Sequence, residues 1–179
     1  MAILKIAQMG NPVLRRPAAP VPVKSITSPI LQKFVDDMIE TMREYNGVGL
    51  AAPQVHESLQ IVVIEVHENP RYPQVAPIPL TVLINPAVEP LTDETEEDWE
   101  GCLSIPDIRG KVPRVREIRV RAYDRKGKEL DFAVKNFFAR VILHECDHLQ
   151  GILFLDRMRK LDTLTYLTEY QRYWAAQEG

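Results

Sequence analysis

The sequence predicts an α+β fold, with antiparallel β-sheets around a central helix and further helices toward both ends. Three observations carry this. Residues 136–151 read as one well-delimited apolar helix, and Val115–Tyr123 alternates polar and apolar residues before a turn and a return strand. Residues 30–42 carry a broad apolar helical stripe. Neither an internal repeat nor a linker interrupts the chain, so residues 1–179 are expected to form a single domain.

In chain order, residues 3–17 read as an extended arm with a Gly10-Asn11-Pro12 turn, and the proline-rich run to Pro22 continues it. Thr27 or Ser28 can cap a helix whose first residue is Pro29. Ile30, Phe34, Met38 and Met42 recur every fourth residue with Leu31, Val35 and Ile39 beside them, so this helix packs on the core and stops at Asn46-Gly47. Gly47–Gln54 holds two glycines and two alanines in eight residues. Such small residues suit either a tight loop in a crowded place or close approach to a ligand. Ile61–Val66 reads as a buried strand, His67–Pro79 as a surface loop with His67 solvated, and Thr81–Asn85 as a second strand that Pro86 ends. Asp93–Glu97 is an acidic turn. After Val115–Tyr123, Asp124–Gly127 is a hairpin turn and Lys128–Val134 the return strand. Asn136 is the expected N-cap of the central helix and Gly151 its C′ residue. Ile152–Leu155 is a short apolar segment, and Leu161, Leu164, Leu167, Tyr170 and Trp174 fit a last amphipathic helix.

Composition narrows the function. The 179 residues are 45% hydrophobic with a formal charge of -3, so no basic excess points to nucleic-acid readout. The sequence shows neither a secretory signal pattern nor an apolar run long enough to span a bilayer. The expected location is the cytoplasm; an organellar origin is also compatible with the sequence. With two cysteines and that location, a reduced pair is expected rather than a disulfide.

The chemistry concentrates in His144-Glu145-Cys146-Asp147-His148. On a helix, residues i and i+4 share a face, so both imidazoles can bind one metal ion and Glu145 can act as a base on a water that the metal activates. A catalytic metal keeps three protein ligands, and the candidate for the third is Cys102 in Glu100-Gly-Cys-Leu-Ser104. A thiolate with two imidazoles suits Fe(II) or Zn(II). Cys146 lies roughly 200° around the helix from His144 and reads as core packing. Attack on a carbonyl would create an oxyanion, and the Gln54 amide and the Leu103 backbone N–H are suitable donors.

Gly47-Val-Gly-Leu-Ala-Ala-Pro-Gln54, Glu100-Gly-Cys-Leu-Ser104 and His144-Glu-Cys-Asp-His148 resemble, in order, the three signature motifs of peptide deformylases, and Met9-Gly-Asn-Pro-Val-Leu-Arg15 resembles that family's start. Three separated motifs are far more specific than one. The resemblance implies a hydrolase that removes the formyl group from N-formylmethionine of nascent chains at the ribosome and releases formate. It implies one divalent metal, typically Fe(II), with Zn(II), Ni(II) or Co(II) able to take the site. Cys102, His144 and His148 would be the ligands, Glu145 the base, and Gln54 with the Leu103 amide the oxyanion donors. Gly49 and its neighbours would bind the peptide as an added strand. Val48, Glu100, Phe137 and Val141 would border the methionine pocket, and Arg109 matches an arginine that braces the site. Peptide-like hydroxamates are the expected inhibitors. Two departures stand out: Val55-His56-Glu57 replaces a frequent Ile/Val-Gly pair, and Leu143 replaces a frequent glutamine.

Two other readings compete. One is a zinc peptidase with a downstream ligand; no histidine follows His148, although Asp156 and Glu169 do. The other is a metal-stabilised binding module that docks at the ribosome without catalysis, which would have no use for Glu145.

Overall fold

The computed structural model describes residues 2–67 and 76–175. Most of the expected surface loop at 67–79 therefore lies outside the described residues. Eight strands form two antiparallel sheets among the described residues. The larger has the order β1-β2-β3-β6-β7, from Gly49–Ala51, Ile61–Val66, Ile78–Pro90, Glu117–Tyr123 and Glu129–Lys135. The smaller has the order β4-β5-β8, from Thr95–Cys102, Ile105–Val115 and Thr165–Tyr166. The α-helices are α1 (Pro29–Glu44), α2 (Asn136–Leu149), α3 (Phe154–Arg157) and α4 (Leu167–Tyr173).

β2 explains the layering. Its residues are buried throughout, because helices cover both faces of the sheet. Ile61 and Val63 pack with Val35, Met38 and Met42 of α1, whereas Val62 and Ile64 pack with Val141, Ile142 and Cys146 of α2. Successive side chains alternate between faces, so one short strand serves two cores. Glu65 falls on the α1 side, where the Arg43 guanidinium meets it at 2.7 and 3.0 Å. A third cluster, with Leu14, Ile105, Val112 and Phe154, joins the smaller sheet to α3 and the N-terminal arm.

Ser28 caps α1, its Oγ accepting from the Leu31 N–H, and Pro29 opens the helix as expected. The buried stripe is rotated from the four-residue series: Leu31, Val35, Met38, Ile39 and Met42 are inside, but Ile30 in the first turn is 85% exposed. Pro86 does not end β3. The register shifts between Ile84 and Ala87, and Asn85 takes φ +52 there, so the proline sits at a bulge where no ladder N–H is needed. The Asn85 amide then clamps the arm, accepting from the Val21 N–H and donating to its carbonyl, each at 2.8 Å.

α2 has the expected extent but a different start. Asn136 takes φ +57 and offers no cap to the helix; Lys135 precedes it without a side-chain cap. The C-terminal end is as expected. Gly151 takes φ +73, its N–H reaches the His148 carbonyl at 3.2 Å, and the Ile152 N–H reaches that of Asp147 at 2.9 Å. A Cβ at Gly151 would also stand 2.6 Å from the Arg15 carbonyl carbon. The last helix is shorter than the apolar spacing suggested. Leu161 and Leu164 lie outside it, because the backbone at 165–166 pairs with Arg109 and Ile108 of β5 instead.

Candidate active site

Cys102 ends β4, where the hairpin register shifts between Gly101 and Cys102. His144 and His148 sit one turn apart on α2, both buried. The cysteine sulfur and one nitrogen from each histidine lie within 4.8 Å of one another. Cys102 Sγ stands 3.2 Å from His148 Nε2. A tetrahedral metal with ordinary Zn–S and Zn–N lengths separates such donors by about 3.5 Å, so the three residues fit a metal ion. Asp156 and Glu169 do not join them: Asp156 pairs with Arg15 and accepts from the Leu153 N–H, and Glu169 pairs with Arg172.

A buried ionic network holds the histidines. The Nδ1 of His144 is 2.8 Å from the Glu100 carboxylate, which leaves its Nε2 for the metal side. Arg114 clasps Glu100 with two nitrogens at 2.9 and 3.0 Å and reaches Asp147, next to His148, at 2.6 Å. Arg140 adds a contact to Glu100 at 2.9 Å, and Arg157 pairs with Asp147 at 2.7 Å. Burial opposes ionisation of Glu100, but His144 and Arg114 outweigh it and hold the carboxyl far below its ordinary range. On His144 burial works against the proton, while the Cys102 sulfur and Glu100 carboxylate raise the pKa well above the imidazole value. On His148 burial and the His144 charge both lower it.

Glu145 is 4% exposed, and its Oε2 makes no hydrogen bond among the described residues. Burial pushes its pKa up to about 7, near neutrality, where a general base works best. Its carboxyl group rests against Gly49: a Cβ there would lie 2.8 Å from Glu145 Cδ. Gln54 is oriented by its neighbours. Its Oε1 accepts from the Ala51 N–H at 2.8 Å, so the NH₂ turns to Cys102 Sγ at 3.4 Å and Ser104 Oγ at 3.2 Å.

These groups open onto a cleft of about 440 Å³. Val48, Gly49, Leu103, Arg109, Phe137 and Val141 line it. Glu100 also borders the cleft, but its carboxylate is committed to His144, Arg114 and Arg140. Arg109 packs over Gly101 and lies 5.9 Å from the Tyr170 ring centroid. β1 and β4 are edge strands of their sheets, and both line the cleft. The Val48 carbonyl accepts from the Glu65 N–H of β2 at 3.1 Å. Alternate residues of a strand turn their backbone groups to opposite edges, so Gly49 turns its N–H and C=O toward the cleft.

Cys146 faces the core, 6% exposed, with burial pushing its thiol up to about 12. The sequence reading missed Ser104, Arg114, Arg140 and Asp147. Arginine and aspartate are ordinarily surface residues, and nothing in their local pattern marked these as buried.

Residues 3–164 match the family described as Polypeptide deformylase. Peptide deformylase 1 of Bordetella pertussis is 48% identical over 161 residues, 90% of each chain. A crystal structure of class I type b peptide deformylase from Acinetobacter baumannii with Met-Ala-Ser bound superposes with a TM-score of 0.85 at 38% identity, covering 88% of this chain and 99% of that one. The actinonin-bound form of the same enzyme superposes with a TM-score of 0.78 at 35% identity, covering 88% and 99%. On this evidence the chain belongs to the polypeptide deformylase family.

Proposed function

We propose that this peptide deformylase acts as one catalytic domain on the N-formylmethionine of nascent chains in the bacterial cytoplasm, with Cys102, His144 and His148 holding its metal. The observation that carries the reading is the buried Glu145 carboxylate beside the three convergent donor atoms, facing a cleft bordered by two sheet edges. The cysteine sulfur and two imidazoles suit Fe(II) as the native metal, with Zn(II), Ni(II) or Co(II) as substitutes. When bound, the metal supplies Lewis acidity, polarising the formyl carbonyl and lowering the pKa of water.

The chain's own groups do the rest. Gly49 pairs its N–H and C=O with the peptide as an added strand. Val48, Phe137 and Val141 take the methionine side chain, with the backbone around Glu100 completing the pocket. Arg109 braces the wall. Glu145 accepts the proton of the attacking water and passes it to the departing amine, which leaves as formate is released. The Gln54 NH₂ and the Leu103 N–H donate to the developing oxyanion. The Glu100 carboxylate holds His144 in one tautomer and orientation. The Acinetobacter baumannii relative binds Met-Ala-Ser and actinonin in its structures, which supports a peptide substrate here. Peptide hydroxamates with a methionine-sized side chain are the inhibitors this pocket should take.

Glu145→Gln tests the reading. The variant should keep its metal and lose about 10²–10⁴-fold in kcat. A variant within tenfold of the parent, with metal retained, would remove Glu145 from the mechanism and leave a metal-stabilised binding module.

A further inference from the structure

The motifs account for only part of the cleft wall. One further wall residue, Leu167, comes from the C-terminal segment, beyond residue 164 where the family match ends. It stands where β8 hands over to α4. A helix of seven residues does not persist on its own, and the contacts that hold α4 reach residues of the same cleft. The Trp99 ring meets Tyr170 at 4.8 Å and Trp174 at 5.3 Å, edge to face, and Arg109 lies over Tyr170. Trp99 and Arg109 both line the cleft. Tyr166 and Thr165 pair with Ile108 and Arg109, so the segment is seated by backbone as well as by rings. Leu167 is a half-buried apolar side chain at this wall, next in sequence to the paired strand.

We propose that Leu167 is a specificity-determining residue that selects apolar side chains at the substrate positions following formylmethionine. This rests on the deformylase reading of the cleft and adds a preference to it. The methionine side chain falls to Val48, Phe137 and Val141, with the backbone around Glu100. Leu167 stands apart from these, beside the β5 residues Ile108 and Arg109 that its neighbours Tyr166 and Thr165 pair with, so its contact falls to the peptide further along. An apolar wall stabilises an apolar neighbour by removing both from water and disfavours a carboxylate that would lose its hydration there.

The test uses the metal-loaded full chain with formyl-Met-Ala-Leu, formyl-Met-Leu-Ala and their aspartate counterparts. The parent should favour the leucine peptide at one of the two positions. Leu167→Ala should cut that leucine-to-aspartate ratio of kcat/KM by about tenfold, through KM. Leu167→Lys should invert the ratio toward aspartate, a gain that a misfolded segment does not produce, and Leu167→Met should restore it. Fluorescence of Trp99 and Trp174 reports whether the segment stays seated in each variant. Ratios unchanged in both Leu167→Ala and Leu167→Lys overturn the inference. So does an equal loss on every peptide while the fluorescence is that of the parent. If the parent releases no formate from any of the peptides, the deformylase reading fails instead.

Discussion

Gly49→Ala probes the placement of the base without touching the base. The new methyl carbon would lie 2.8 Å from Glu145 Cδ. Two non-bonded carbons rest at about 3.5–4.0 Å, so the carboxyl must retreat by about 0.7–1.2 Å. Gly49 does not take a positive φ, so alanine adds no backbone strain, and its N–H and C=O remain available to a peptide. A misplacement of about 1 Å at a reacting group costs about 10²-fold. The expected result is therefore a kcat about 10²-fold lower with metal content at the parent's level and KM little changed. The cycle with Glu145→Gln sharpens this. Once the carboxylate is gone, adding Gly49→Ala should change kcat by no more than about threefold, because residues that act as a unit are not additive. Steady-state formate release and metal analysis on the four proteins decide it. A Gly49→Ala enzyme within threefold of the parent, or full additivity in the cycle, would refute the placement.

Other consequences follow from the same geometry. Cys102→Ser should lose metal or most activity, whereas Cys146→Ser should keep both and melt a few degrees lower, since it buries a hydroxyl in the core cluster; metal analysis and a thermal scan separate the two. Gln54→Glu places a negative charge where a donor stood, and kcat should fall about 10²–10³-fold with metal retained. Burial opposes a proton on His144, but the Cys102 sulfur and the Glu100 carboxylate outweigh it and raise its pKa, so a metal ion competes with a proton there. Affinity should accordingly fall as the pH drops and rise as it climbs, with protons released on binding. Calorimetry in buffers of different ionisation enthalpy between about pH 6 and pH 8 would contradict this if no proton were released.

Much of this was legible in the sequence because the chemistry is local. The spacing of His144, Glu145 and His148 is a helical spacing, and Gly151 ends that helix as glycines do. β6 and β7 alternate with period two, and β2 is apolar except for Glu65. What escaped is non-local. β5 is interrupted by Pro106, Gly110 and Pro113 and carries no strand signature of its own, yet pairing with β4 holds it as a strand. The C-terminal apolar spacing predicted a longer helix, but strand pairing with β5 claimed residues 165–166 first. The buried partners Arg114, Arg140 and Asp147 looked like surface charges, since an ion pair is visible only once the fold brings its members together. Glu100 was expected at the methionine pocket. It is at the cleft wall, but three cationic or imidazole neighbours determine where its carboxylate points.

The central claim is that this cleft hydrolyses an N-formyl amide. The most direct measurement is formate release from formyl-Met-Ala-Ser by anaerobically purified, metal-loaded protein, beside acetyl-Met-Ala-Ser as the comparison. The account predicts one formate for each free amine that appears, and a far slower reaction on the acetyl peptide. No formate from the metal-loaded protein, or equal rates on the two peptides, would contradict it.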